Sequence, residues 1–401
     1  MPNKIIYLDN AATTSVYPAV VKEMEKYMLS DFGEYGNPSS THDLGEQAQK
    51  NVQKAKKIVA SEIGCKPHEI IFTSSGTESN NLALQGVAKA NPDKKKIIIS
   101  SIEHSSIYEL CMEMKKYGYE IFEISVDNKG FIDFDELQKQ VDDRTLIVSI
   151  MHANNEIGVI QNIEKIGELC REKEVLFHTD AVQSFCKEKI DVFTMKVDML
   201  SASGHKIGAS KGVGFLYVGE RVKIEPIIVG GNQETSLRAG TQNVPAIMGF
   251  AKAISIAEKV DKEKMIELRD YFISKLENIG GKINGSKEKR LCNNIDVSFL
   301  GHRAGRECFL LFPRHGTSFL SYHLHPLAGD SRVLLRRCLP GVLEQLSPDR
   351  EVDLALLDGV RRGRGRPPGV PTADTVRLPK TVGLARRDRG FLLRALGAPD
   401  G

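Results

Sequence analysis

Seven cysteines are scattered through the 401-residue chain, and no two form a CxxC pair. Neither a zinc site nor a disulfide framework is indicated. Long apolar runs are also missing: the longest fall well short of the roughly 20 residues that span a bilayer. The N-terminal stretch MPNKIIYLDNAATT lacks an apolar segment of signal-peptide length, so a cytoplasmic location is the default expectation. No internal repeat is visible, and no Lys-Ser/Thr pair stands at Walker spacing, so a nucleotide P-loop is not supported. The net charge of +3 is small for this length and gives no case for a nucleic-acid partner. What remains is ordinary globular composition, 41% hydrophobic and 27% charged, with length for two or three domains and a sizeable core.

The chain changes character near Gly301. Up to Leu300 it is rich in Lys, Ile and Asn. From Gly301 onward there is no Ile, Asn or Met and only one lysine, Lys380, while Arg, Pro and Gly take over, as in GVRRGRGRPPGVP. The first set has AT-rich codons and the second GC-rich ones, which points to a change of coding source. Residues 301–401 are therefore expected to be a divergent Arg/Pro/Gly-rich region, foreign to the preceding fold or disordered. The run RRGRGR (361–366) has the charge to meet nucleic acid but no aromatic platforms, and a solvated basic linker explains it equally well.

Residues 1–300 alternate. Short apolar runs at 69–74, 96–101, 119–125, 145–151, 175–180, 197–203 and 213–218 read as strands. Helical patterns lie between them at 77–90, 106–118, 134–141 and 163–173, and a long helical stretch covers 243–280. This order predicts an α/β domain with a mainly parallel sheet flanked by helices, followed by a smaller domain beginning near NNIDVSFL. Ligands of such sheets sit beyond the C-terminal strand ends, where the polar motifs of this chain lie.

FTSSGTESNN ends a strand and opens a helix, a place suited to an anion, with capping-box spacing between Ser75 and Glu78. Alone it reads equally as a helix cap. VSIMHANNEIG places Asn154, Asn155 and Glu156 after a strand, either as a polar turn or as amides near a ligand. Asp180, in VLFHTDAVQS, is a carboxylate at a buried strand end, costly unless paired, and Gln183 follows it. A helix cap competes for Asp180 taken singly. His104 follows another strand, where a lone histidine is more often structural than functional, and SLRAGTQN offers Arg238, Gly240 and Thr241 in a polar loop suited to a phosphate or carboxylate but equally to a solvated turn. LSASGHKIGASKG sets Lys206 between small residues and a glycine-rich turn. Together, an anion-binding helix start, an aspartate at a strand end and a lysine in a small-residue turn are the parts a pyridoxal 5′-phosphate site needs.

The motifs YLDNAATT, GNPSSTH, TSSGTESNN, HANNEIG, HTDAVQ, SASGHKI, GGNQE and LRAGTQN, in this order, closely resemble those of cysteine desulfurases of the NifS/IscS type, which are class V, fold-type I enzymes. The resemblance covers residues 4–300. It implies that Lys206 holds pyridoxal phosphate covalently, that Asp180 pairs with its ring nitrogen, and that Gln183 bonds its phenolic oxygen. His104 would stack on the ring and serve in proton transfer. Gly76, Thr77, Ser203 and His205 would hold the phosphate, with Thr241 contributed by a neighbouring subunit of a homodimer. Asn155 would lie near cofactor and substrate, with Asn37 also close to the substrate. The implied reaction converts L-cysteine to L-alanine and passes the sulfur, as a persulfide, to an iron–sulfur scaffold or another acceptor protein. No metal ligand set is implied. The implied domains are an N-terminal segment (1–15) joining the small domain, a large cofactor domain (16–255) and the start of the small domain (256–300).

The family's mobile cysteine loop, and the arginine that follows it, do not occur after NNIDVSFLG. Cys308 in GRECFLL and Cys338 in LRRCLPG have different surroundings, and neither is assigned as the nucleophile. Two other readings are therefore carried: a selenocysteine lyase or other class V enzyme, and a chain that binds the cofactor but is inactive as a desulfurase.

Overall fold

Strands that alternate apolar side chains between two covered faces organise the chain. In the computed structural model the described residues are 7–299 and 318–323. The chain divides into two units, Met1–Leu346 and Ser347–Gly401. Everything described below belongs to the first, and the second lies outside the described residues, as does most of the region from Gly301 onward.

The order begins with α1 (Pro18–Glu25) and α2 (Asp43–Ile63), followed by β1 (Ile70–Thr73), α3 (Gly76–Ala90), β2 (Lys96–Ser100), α4 (Ser105–Lys116) and β3 (Glu120–Ile124). Next come α5 (Phe134–Gln140), β4 (Thr145–Ser149), α6 (Ile163–Glu172), β5 (Leu176–Asp180), β6 (Met199–Ser203) and β7 (Gly214–Val218). The chain continues through α7 (Val244–Ala257), α8 (Lys262–Asn278), β8 (Lys282–Ile283), β9 (Asn294–Phe299) and β10 (Ser318–His323). Strands β1 to β7 form one sheet in the order β1-β7-β6-β5-β4-β2-β3. Its neighbours are parallel except at β7, which runs antiparallel to both β1 and β6. The expected α/β class with a mainly parallel sheet is thus realised. A second, antiparallel sheet has the order β10-β9-β8, so six residues beyond Gly301 take part in it.

Both faces of the large sheet are buried, as a parallel sheet requires. Ile70, Phe72 and Ile98 belong to a core shared with α2 and α7, whereas Ile71, Ile97 and Ile99 belong to one shared with α3 and α4. Helix α2 presents Ala48, Val52, Ala55, Val59 and Ile63 as a buried stripe, the 3.6-residue period of an amphipathic helix. Phe185, Phe215 and Phe250 meet with ring centroids 5.2 to 6.0 Å apart. The N-terminal segment contributes Leu8 to a third cluster with α8 and β9.

One expectation is corrected. The single helical stretch at 243–280 is two helices, because the chain breaks after Ala257 and Asp261 caps α8 by accepting from the Lys264 N–H at 2.8 Å. Helices α1 and α2 carry no sequence expectation above.

Lys56 of α2 and Glu234 form a buried ion pair at 2.8 Å, and Glu234 also accepts from the Phe72 N–H of β1 at 2.9 Å. Removing one partner leaves an unpaired charge in the core. Glu234→Ala or Lys56→Met should lower stability by about 3–5 kcal/mol, read from denaturant midpoints. A loss within the error of the method would show that the pair contributes nothing to the fold.

Candidate functional site

The parallel strands β2, β4, β5 and β6 all end toward one edge of the sheet, and the predicted residues follow those ends. Asp180 closes β5 and pairs in register with Ser201 of β6, two residues before Ser203. Ser203 is buried, and Gly204–Lys206 forms a single tight turn after it. Gly76 opens α3 so close to this turn that a Cβ there would lie 3.6 Å from the Ser203 Cβ and 2.6 Å from a Val182 methyl. Only glycine lets the helix start approach both strand ends.

Asp180 is 4% exposed. Its Oδ1 accepts from the Val182 N–H at 2.9 Å, and its Oδ2 accepts from Asn80 Nδ2 at 2.8 Å. The same Asn80 amide reaches Ser106 Oγ at 2.8 Å, and Ser106 Oγ lies 2.8 Å from His104 Nδ1. A continuous polar chain therefore links His104, which caps α4, to Asp180. Burial pushes the Asp180 carboxyl above its usual range, while its two hydrogen bonds and the charges of His104 and Lys206 pull it back.

Lys206 is half-buried. Its Nζ donates to the Ala11 carbonyl and, at 3.0 Å, to the Ala12 carbonyl. Gln183 Nε2 donates to the same Ala11 carbonyl at 3.0 Å. Burial pulls the amine down from 10.5 to about 8, against the opposing charges of Asp180 and Asp9. His205 Nδ1 lies 3.1 Å from Thr13 Oγ1, and the His205 carbonyl accepts from Thr14 N–H and Oγ1. Burial, then the charges of Lys206, Lys211 and Lys187, push this imidazole down to about 4, so it is neutral at physiological pH.

The remaining predicted residues are placed less centrally. Thr77 is exposed in the first turn of α3. Asn155 is half-buried beside Asn154, whose Oδ1 instead holds the turn by accepting from the Glu156 and Ile157 N–H groups at 2.9 Å. Asn37 and Thr241 are exposed, and among the described residues no hydrogen bond joins either to the cluster around Asp180. A polar groove of about 730 Å³ runs between Pro38–Thr41, α2 and the 232–235 loop, bordered by the chain neighbours of Asn37 and Thr241. It contains none of the residues around Asp180, and the chemistry concentrates at the strand ends, not there. Arg238 pairs with Glu78 at 2.8 Å, and Glu78 in turn accepts from Ser74 N–H and Oγ. Ser75 Oγ caps α3 by accepting from the Glu78 N–H at 3.1 Å.

Sequence reasoning missed Asn80, Ser106 and the backbone of Ala11 and Ala12. Asn80 carried one signal: it stands four residues after Gly76, on the same face of a helix whose start faces the site. The N-terminal contacts span about 195 positions and had no local signal.

Residues 6–311 match the class-V aminotransferase family. Cysteine desulfurase IscS of Dictyoglomus turgidum is 45% identical over 300 residues, covering 73% of this chain and 75% of the relative. The namesake from Methanosarcina thermophila is 44% identical over 302 residues, 74% of each chain. A solved NifS-like protein superimposes with a TM-score of 0.79 at 34% identity, over 85% of this chain and 98% of that one. A structure described as SspA in complex with cysteine gives a TM-score of 0.68 at 35% identity, over 74% and 84%.

The chain belongs to the class-V aminotransferases, among the cysteine desulfurases. Its fold is that of the fold-type I enzymes, and pyridoxal phosphate is the cofactor of this family. The residues present fit that group. A buried carboxylate interacts with a lysine amine of lowered pKa, small residues and a helix start adjoin the lysine turn, and the buried Asn80 Oδ1 has no hydrogen-bond partner among the described residues. Among the described residues no cluster suits a metal ion and no helix is long and apolar enough to cross a membrane. The described cysteines are Cys65, Cys111, Cys170, Cys186 and Cys292. Burial raises the thiol of each, to about 12 for Cys65 and Cys111, so none is a ready thiolate.

Lys206 should therefore acylate with a pH midpoint near 8, far below the 10.5 of an ordinary lysine. Competitive labelling with peptide mapping measures this, and a midpoint at or above 10 would contradict the buried setting.

Proposed function

We propose that this chain is a pyridoxal phosphate-dependent cysteine desulfurase acting on L-cysteine. The observation that carries the reading is the juxtaposition of Lys206, at the end of the β6 turn, with Asp180 at the end of β5. When bound, the cofactor supplies an electron sink that weakens bonds at the substrate's α and β carbons. In this reading Lys206 is the amine that holds the cofactor, and its lowered pKa keeps a fraction of it neutral and nucleophilic near pH 7. Asp180 would keep a proton on the ring nitrogen, with Asn80 orienting that carboxylate. Gln183 would bond the phenolic oxygen, and His104 would contact the ring and move a proton. Gly76, Thr77, Ser203 and neutral His205 would hold the phosphate. Asn155 and Asn37 serve the substrate.

The overall conversion balances without an outside oxidant: L-cysteine plus a thiol gives L-alanine plus a persulfide. No described cysteine supplies that thiol, and Cys308 and Cys338 lie outside the described residues. The same reading includes a homodimer in which Thr241 reaches the neighbouring site. It is supported by the exposed apolar residues Val21, Met28, Leu29 and Tyr35 near α1. An iron–sulfur scaffold or related protein as acceptor, and a cytoplasmic location, complete it.

Incubation of the loaded protein with L-cysteine tests the reading by detection of L-alanine. Alanine should form slowly, because no described cysteine holds a thiolate in the site. Asp180→Ala should retain cofactor binding while alanine formation falls by on the order of 10²-fold, the scale of a lost electrostatic contact. Turnover unchanged in that variant rejects the role of Asp180. Fast alanine formation that is abolished by Cys308→Ser or Cys338→Ser would place the nucleophile in the C-terminal region.

A further inference from the structure

Glu103 is a carboxyl group with no part in the reading above. It stands in the turn between β2 and α4, directly before His104. The turn is partly exposed, but the carboxyl is enclosed. Its Oε1 accepts from Ser100 Oγ at 2.5 Å and from the Met151 N–H at 2.8 Å. It thus fastens the end of β2 to the chain leaving β4, four residues before Asn155. A second tie runs the opposite way, as Asn154 Nδ2 donates to the Ile102 carbonyl at 3.0 Å. The two strand-end loops that carry His104 and Asn155 are pinned to each other at Glu103 and Asn154. Glu103 Oε2 is buried and has no hydrogen-bond partner among the described residues.

We propose that Glu103 is a positioning residue for the cofactor site: its carboxyl locks the His104 turn against the Asn154–Asn155 loop. The inference rests on the reading of this site as a pyridoxal phosphate site. The groups facing the carboxyl are consistent with a neutral acid. Burial pushes Glu103 up to about 8, against the pull of the hydrogen bonds from Ser100 and the Met151 N–H, and the neighbouring charge of Asp180 raises it further. Cys111, from α4, is a protonated thiol and brings no cation. A salt bridge therefore does not explain the residue, whereas a hydrogen-bond acceptor of fixed length does. Because the acceptor is what matters, glutamine should replace it. Alanine would leave the Met151 N–H without its acceptor and the His104 turn held only by the Asn154 tie. Aspartate would be too short to reach.

The test titrates pyridoxal phosphate into full-length native protein, Glu103→Gln, Glu103→Ala and Glu103→Asp, and follows two readouts. These are the dissociation constant and the circular dichroism of the bound cofactor's visible band, which reports the orientation of the ring. Thermal melting checks the fold. Glu103→Gln is expected to match native protein in both. Glu103→Ala should bind on the order of tenfold more weakly, as when a buried N–H loses its acceptor, with a reduced visible dichroism per bound cofactor. If the alanine variant does not fold, the aspartate variant should show the same pattern. Lower melting temperature with native affinity and dichroism would make Glu103 merely structural and overturn the proposal, as would a glutamine variant as impaired as alanine. Native protein that binds no pyridoxal phosphate would instead overturn the reading of the site itself.

Discussion

Opposite charges held inside one site, at the ends of adjacent strands, are the constraint on which the arrangement depends. Asp180 ends β5, and Lys206 follows β6 by one tight turn. Asp180 is buried and Lys206 half-buried, which raises the cost of each charge and strengthens the pull between them. For Lys206 the cost wins, since its amine falls to about 8 despite two nearby carboxylates. That outcome suits an amine that must be both held in place and reactive. The acceptors that steady it are backbone carbonyls of Ala11 and Ala12, which hold the ammonium without adding a further full negative charge.

The scaffold serves this placement. A sheet buried on both faces fixes the strand ends, and the glycine at the start of α3 brings a helix terminus against them. Longer-range ties then hold the elements in place: the N-terminal segment onto the lysine turn, Glu78 to Arg238 at the start of α3, and Lys56 to Glu234 beside β1. The polar line from His104 through Ser106 and Asn80 to Asp180 joins groups from three elements into one network. Such a network orients its members more firmly than any pair within it would.

Much of this was legible in the sequence because parallel strands announce themselves as short apolar runs and because ligands gather just after them. Asp180, Lys206, His104 and Gly76 stood at such places. What was illegible follows from distance along the chain. Helix α2 buries a narrow stripe between long polar stretches, and nothing local marks Ala11 as the acceptor for a lysine 195 positions away. Arg238 read equally as a phosphate ligand, and only the fold brings Glu78 beside it. The long helical pattern at 243–280 hid a break because Asp261 caps a helix in a stretch whose apolar period continues across it. Nothing local marks Glu103 either, because its partner at the end of β4 stands 48 positions further along the chain.

The central claim is that Lys206 is the cofactor's covalent partner, set opposite Asp180. The most direct measurement is borohydride reduction of the loaded protein, followed by proteolysis and mass mapping of the pyridoxyl group. The account predicts a single labelled peptide containing SASGHKIGASK, modified at Lys206, and no stable label in Lys206→Ala. A label carried by Lys187 or any other lysine, or undiminished labelling of the Lys206→Ala protein, would contradict it.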